Sequence, residues 1–244
     1  MGLKGVILAA GQGKRLLPLT REIPKALLPL NGSTGLTILE HQVKVLEEAG
    51  VGEILVVAGH GRERIEALLG PRVSYVLNEE YFRTNSIYSF YLTMDRLEDG
   101  ALIVNGDVLF PREVAGRLLE SEHDGVLSVD TGALLDEETM KVVLKGSLVV
   151  DIRKDLSPQE AHGENLGVVL FRGKALATLK EVVAEMIARG EVNRWIPAAF
   201  REMLSLHPIH AIDVKGLPWI EIDFPQDLEK AQKEIYPKIV SGSV

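Results

Sequence analysis

An α/β fold with a Rossmann-like, mixed and mostly parallel sheet flanked by helices is predicted by three observations. The first hundred residues alternate short apolar runs with helix-periodic stretches, the pattern of strand–helix–strand units. The first apolar run ends in a glycine-rich turn, and open α/β sheets receive their ligands at such strand ends. The chain has 244 residues, 46% hydrophobic and 25% charged, enough for one domain with a sizeable core.

The elements follow in order. Gly5 to Ala10 is a short apolar strand running into the glycine turn, and Leu36 to Ala49 has helical periodicity. Glu53 to Ala58 is a second strand, followed by Gly59-His60-Gly61 and a short charged helix. Val73 to Leu77 is a third strand. Asn85 to Leu97 reads as one helix with Ile87, Tyr88, Tyr91, Leu92 and Met94 on its apolar positions. Ala101 to Val104 is a fourth strand, ending at Asn105-Gly106-Asp107. Beyond it the pattern changes to strands with short links: Gly125–Asp130, Thr139–Leu144, Ser147–Ile152 and Leu166–Phe171, with Lys145-Gly146 as a hairpin turn. Helices are expected at Ala175–Arg189 and Arg194–Leu204, strands at Ile209–Val214 and Trp219–Asp223. A last helix is opened by Pro225, a favourable first-turn residue. Ser241-Gly242-Ser243-Val244 reads as a frayed end. The layout expected is a single domain over 1–244, with one half at about 1–110 and a second at about 111–240.

Composition excludes several classes. Thirty-five Asp and Glu against 27 Lys and Arg give a net charge of −8, which argues against nucleic-acid binding through a broad basic surface. The absence of cysteine excludes disulfides, thiolate chemistry and Cys-ligated zinc. No apolar run approaches the roughly 18 residues of a membrane span, so a soluble, cytoplasmic protein is expected, with a homo-oligomer left open. His41 and His60 belong to no clustered metal spacing and read as structural or surface residues.

The strongest local signal is Leu8-Ala9-Ala10-Gly11-Gln12-Gly13-Lys14-Arg15, continued by Pro18-Leu19-Thr20 and Pro24-Lys25. Small residues at a strand end let a ligand approach the backbone, and the amides of Gly11 to Gly13 can face phosphate oxygens. Arg15 offers a planar fork for phosphate and Lys25 a compact charge. A Walker A loop is absent, and Leu16 stands where a dinucleotide fingerprint needs a small residue.

This string resembles the signature of sugar-1-phosphate nucleotidyltransferases, and the order of motifs follows that group along nearly the whole chain. Asn78-Glu79 with Thr84-Asn85-Ser86-Ile87-Tyr88-Ser89, and the ending Trp219-Ile220-Glu221-Ile222-Asp223-Phe224-Pro225, look most like its phosphocholine cytidylyltransferase branch. The resemblance implies an enzyme that joins a nucleoside monophosphate to a small phosphorylated acceptor and releases pyrophosphate. Leu8, Ala10, Gly11 and Gly13 would bind the nucleotide, with Asn78 and Asn85 at the base. Arg15 and Lys25 would be the catalytic cations, and Asp107 and Asp223 would hold Mg²⁺. Asp107 also follows a strand and a glycine, at the carboxyl end of the sheet. Asp223 ahead of Pro225 equally suits a helix cap, and Glu221, two residues away on the same strand face, is its alternate.

CTP is the donor, and phosphocholine the acceptor, that the branch implies. A quaternary ammonium is held by aromatic faces and a carboxylate, which points to Tyr88, Trp195 and Trp219 with Glu221. The resemblance further implies that Glu164 and Gly167, a Glu then a Gly before an apolar strand, touch the acceptor. Asp130 and Lys154 belong to the same half, expected to bind the acceptor while about 1–110 binds the nucleotide. Two other readings stay open: a sugar-1-phosphate or polyol-phosphate nucleotidyltransferase using UTP, dTTP, GTP or CTP, and a non-catalytic nucleotide-sugar-binding regulator. Thr34-Gly35 lengthens the loop after Asn31-Gly32 relative to many members of the group, which bears on donor choice.

Overall fold

Four apolar runs of the first half lie side by side: β1 (Lys4–Ala9), β2 (Glu53–Ala58), β3 (Ser74–Leu77) and β4 (Gly100–Asn105). The computed structural model describes residues 2–32 and 35–242; Thr34 of the lengthened loop, and Ser243 and Val244 of the tail, lie outside them. The four strands run parallel in the order β3-β2-β1-β4, with Leu8 paired to Val57 on one side and Asn105 on the other. Their near-continuous hydrophobicity follows from burial on both faces: Val6, Ile7, Leu55, Val56, Leu102 and Val104 are fully enclosed.

Helices α1 (Ile38–Glu48), α2 (Arg62–Leu69) and α3 (Ser86–Tyr91) fill the crossovers. Helix α1 opens on a capping box: the Thr37 hydroxyl accepts from the Glu40 amide, and Glu40 accepts from the Thr37 amide. Helix α3 is shorter than the expected Asn85–Leu97 element. Thr93 turns both its amide and its hydroxyl onto the Phe90 carbonyl, and the chain continues as a 3₁₀ turn at Met94–Arg96.

In the second half come β5 (Val108–Leu109), α4 (Arg112–Leu119), β6 (Gly125–Asp130), β7 (Lys141–Lys145), β8 (Leu148–Arg153), β9 (Gly163–Arg172) and α5 (Gly173–Ala188). They are followed by α6 (Pro197–Met203), β10 (His210–Asp213), β11 (Ile220–Glu221), α7 (Pro225–Lys230) and α8 (Tyr236–Ser241). The complete sheet has nine strands in the order β3-β2-β1-β4-β9-β6-β10-β8-β7. It is mixed: β9 runs antiparallel to β4 and β6, whereas β10 is parallel to β6. Helix α4 was not expected, since only Val114, Ala115 and Leu118 mark its buried stripe. Helix α6 starts at Pro197 rather than Arg194, because the carbonyls of Val192 and Arg194 accept from the Asn85 and Ile87 amides instead of helical partners.

Three apolar clusters result. Two lie against the sheet, and the third joins Leu16, Leu28, Leu30 and Ile38 to Ile222, Leu228, Ala231 and Ile235. This third cluster binds the segment after the glycine turn to the C-terminal helices. Among the described residues no helix is long and apolar enough to cross a membrane.

Candidate active site

The glycine turn leaves β1 and folds back on itself. Gly13 has φ 61°, and a Cβ there would meet the Lys25 Cβ at 2.9 Å, so only glycine lets the Lys25 stem pack against the turn. The Thr20 hydroxyl donates to the Gly13 carbonyl at 2.7 Å and closes the loop. Lys25 is thereby aimed at two carboxylates, with Nζ 2.9 Å from Asp107 Oδ2 and 2.6 Å from Asp223 Oδ1. Burial lowers the Lys25 pKa, but Asp107 and Asp223 outweigh it and the group ends above its ordinary value.

Asp107 and Asp223, far apart in sequence, meet because β5 and β11 form a two-stranded antiparallel ribbon. Glu221 pairs with Val108, and the Ile222 amide donates to the Asp107 carbonyl at 2.9 Å. Ligand atoms of Asp107, Glu221 and Asp223 lie within 4.8 Å of one another. Burial first, then the charges of Asp107 and Asp223, push the Glu221 carboxyl up to about 8. Capping of α7 falls to Asp227, whose Oδ2 accepts from the amides of Asp223 at 3.0 Å and Phe224 at 2.7 Å. The Asp223 carboxylate is left for the cleft.

Arg15 spans the cleft, with Nη2 2.5 Å from Asp223 Oδ2 and Nη1 3.0 Å from Glu138 Oε2. Its guanidinium also lies 5.0 Å from the Phe224 ring centroid. Burial lowers its pKa, and Asp223 and Glu138 more than reverse that. Glu138 is shared with Lys154 Nζ at 3.4 Å, and that ammonium lies 4.8 Å over the Trp195 ring.

Of the residues singled out from sequence, Leu8, Ala10, Gly11, Arg15, Asn78, Asn85, Asp107, Glu221 and Asp223 line one cleft. Gly13 and Lys25 support it from behind. Asn78 is almost fully buried, and its side chain serves the loop: Nδ2 donates to Thr84 Oγ1 and Ser89 Oγ, each at 3.1 Å, and Oδ1 accepts from the Glu80 amide. Asn85 caps α3 by accepting from the Ser86 amide at 2.8 Å.

Three residues expected at the acceptor do not line the cleft. Tyr88 stacks on Tyr91, ring centroids 6.0 Å apart. Trp219 packs against the sheet core and donates Nε1–H to Asp130 Oδ2 at 2.9 Å, because β11 spans only Ile220 and Glu221 and Trp219 precedes it. Glu164 lies within β9, opposite Asp130 and Lys141, its carboxyl pushed up to about 7, by burial first and then by Asp136 and Asp130.

The second wall is made by Glu138, Met140, Lys154, Asn165, Leu166 and Trp195. Gly167, with φ 79°, lies so close to Asn105 that a Cβ would sit 2.3 Å from its Nδ2, so glycine is required where β9 passes β4. Glu138 and Met140 escaped the sequence reading: they flank a loop-to-strand junction, and Asp136-Glu137-Glu138 looks like any solvated acidic run.

The donor set suits a hard divalent cation. Asp107 Oδ1 is buried with no hydrogen-bond partner, and three clustered carboxylates provide the oxygen ligands that Mg²⁺ prefers.

The sequence profile of the MobA-like NTP transferase domain matches residues 5–197, and the chain belongs to that family, a family of nucleotidyltransferases. It is 33% identical over 99% of its length to a bifunctional IPC transferase and DIPP synthase of Rubrobacter xylanophilus. The match covers 54% of that protein, so the chain spans about half the length of this relative. It is also 33% identical to a choline-phosphate cytidylyltransferase of Streptococcus pneumoniae, over 95% of this chain and 97% of the relative. Among solved structures, the inositol-1-phosphate CTP transferase from T. maritima superposes with a TM-score of 0.81, covering 99% of this chain and 97% of the other at 23% identity, a likeness of fold. The relatives thus divide between branches, and the phosphocholine branch suggested by the Asn85–Ser89 stretch is not favoured over the others.

Proposed function

We propose that the chain is a Mg²⁺-dependent cytidylyltransferase that moves CMP from CTP to the phosphate of a small sugar or polyol phosphate, with release of pyrophosphate. The observation that carries the acceptor class is the chemistry of the second wall. Of the three aromatic residues expected at an ammonium site, only Trp195 lines the cleft, and the Lys154 ammonium already faces its ring. The same wall presents Glu138, Lys154 and Asn165, whose Oδ1 is buried without a partner. Such donors and acceptors suit hydroxyl groups and a phosphate; a quaternary ammonium uses neither. CTP as donor is supported by the names of the relatives and by Asn85 in the cleft lining, whose amide can pair with a pyrimidine edge.

The two walls divide the work between a nucleotide half and an acceptor half of one domain. The triphosphate lies against the glycine turn, with Arg15 exchanging Glu138 and Asp223 for phosphate oxygens. An acceptor phosphate oxygen attacks the α-phosphorus, the bond from that phosphorus to the bridging oxygen breaks, and pyrophosphate departs in line. No side-chain nucleophile is needed, and positioning with charge neutralisation supplies the rate. Lys25, held charged by the two aspartates, lies beside the reacting phosphates. Mg²⁺ held by Asp107 and Asp223, with Glu221 alongside, supplies further charge neutralisation when bound.

A pyrophosphate-release panel tests this: CTP, UTP, dTTP, ATP and GTP, each against sugar 1-phosphates, polyol phosphates and phosphocholine. Turnover with CTP and a hydroxyl-rich phosphate is expected. Turnover of phosphocholine alone would overturn the acceptor class, and no pyrophosphate from any pair would overturn the activity.

A further inference from the structure

Lys141 is a lysine at 1% exposure, at the start of β7. Its ammonium makes two hydrogen bonds, both to main-chain carbonyls: Thr139 at 3.3 Å and Lys154 at 2.5 Å. Among the described residues no carboxylate forms an ion pair with it. Glu164, its register partner on β9, and Asp136 act on it electrostatically without forming an ion pair, and an apolar residue could fill such a strand position without the cost of burying an ammonium. Packing alone therefore does not account for a lysine here.

What the ammonium grips is informative. The Thr139 carbonyl lies between Glu138 and Met140, and the Lys154 carbonyl belongs to the residue whose side chain faces Trp195; all four of these side chains line the second wall. The two segments lie side by side at the open end of the β7–β8 hairpin, where Lys141 pairs with Arg153. Across their side chains the contact is a long one, Lys154 to Glu138 at 3.4 Å. Lys141 is thus the buried bracket that fixes the spacing of Glu138 and Lys154. It also places a positive charge behind the wall assigned to an anionic acceptor, where low dielectric strengthens it.

Building on the function proposed above, we propose that Lys141 is a positioning residue for the acceptor, holding the Glu138–Lys154 wall in register through the carbonyls of Thr139 and Lys154. It touches neither substrate. Its loss therefore acts chiefly on the acceptor side and reaches the nucleotide side only weakly, through the partly exposed Glu138–Arg15 pair, a split that a merely structural residue would not produce.

The test uses the full chain with Lys141→Met and Lys141→Gln, the second keeping a donor for one carbonyl. KM for CTP, KM for the sugar or polyol phosphate turned over by the wild type, and kcat are measured, with CTP binding followed separately by thermal shift. Lys141→Met should raise the acceptor KM by about tenfold or more, with KM for CTP within about twofold, and Lys141→Gln should fall between. An unchanged acceptor KM in a folded variant overturns the proposal, as do equal losses for both substrates. Unfolding of both variants by circular dichroism overturns it too, because the bracket is then a requirement of the fold. A wild-type chain that turns over no acceptor refutes the enzymatic reading itself, whereas an active wild type with an indifferent Lys141→Met refutes this inference alone.

Discussion

Glu164→Gln should stabilise the protein at alkaline pH and leave it unchanged in acid. The carboxyl, ordinarily near 4.5, rises to about 7 in the folded chain, chiefly through burial and then through Asp136 and Asp130, with Lys141 and Lys154 pulling the other way. A group whose folded pKa exceeds its unfolded one contributes stability that is complete below the unfolded value and is lost as pH rises through the folded value. The window here is about pH 4.5 to 7. A shift from 4.5 to about 7 corresponds at most to roughly 3 kcal/mol at about 1.36 kcal/mol per unit. Because Glu164 is only partly buried, screening reduces the expected effect to roughly 1–2 kcal/mol. Glutamine keeps the shape and does not titrate. Urea unfolding at pH 4.5 and pH 8, in metal-free buffer, should show the two proteins converging in acid and the variant about 1–2 kcal/mol more stable at pH 8. Glu221 titrates in both proteins and drops out of the difference. Parallel stability–pH curves for wild type and Glu164→Gln would refute the reasoning.

Asp107→Asn should leave the far-ultraviolet circular dichroism spectrum unchanged and cut kcat by roughly 10²-fold or more, the scale of losing one strong transition-state contact; near-normal turnover would remove Asp107 from the metal set. Lys25→Met should lower kcat more than it weakens CTP binding, since the proposed reaction sets its charge beside the reacting phosphates; a pure KM effect in steady-state kinetics would assign it to ground-state binding. Glu138→Ala releases Arg15 from a partly exposed ion pair worth about 0.2–1 kcal/mol, so CTP affinity by calorimetry should rise by up to about fivefold. A weaker CTP affinity in that variant would show that Glu138 assists the nucleotide instead of competing for Arg15.

The parallel half of the sheet was legible because its strands are buried on both faces and read as apolar runs bounded by turns. The place of Asp107 at the cleft was legible for the same reason, since it is the first carboxylate after such a run. Asp223 was ambiguous in sequence because Asp before Phe-Pro suits a helix cap; a side chain four residues on, Asp227, takes that task. Trp219 misled because alternation along a strand places it on one face with Glu221 and Asp223, whereas the ribbon is only two residues long and the indole turns to Asp130. Glu138 carried no signal: its partner Arg15 lies 123 positions away, and nothing local distinguishes it from a solvated glutamate. The early end of α3 was hidden in the same way, since Thr93 satisfies helical periodicity while its hydroxyl terminates the helix.

Leu16, the residue that breaks a dinucleotide fingerprint, shows why this turn differs from one that holds NAD. It is fully buried in the third cluster together with Ile222. Its neighbour Arg15 and the neighbour of Ile222, Asp223, form an ion pair. This shared apolar cluster therefore registers Arg15 against Asp223. A small residue at position 16 would free the turn for a pyrophosphate but remove that register. The same cluster holds Leu109 beside Ile222, so the β5–β11 ribbon and the glycine turn are fixed by a single core. Lys25, Asp107 and Asp223 are half-buried, whereas Arg15 and Glu138 reach solvent. Their spacing is set by this buried apolar cluster, and the ion pairs form where it brings them.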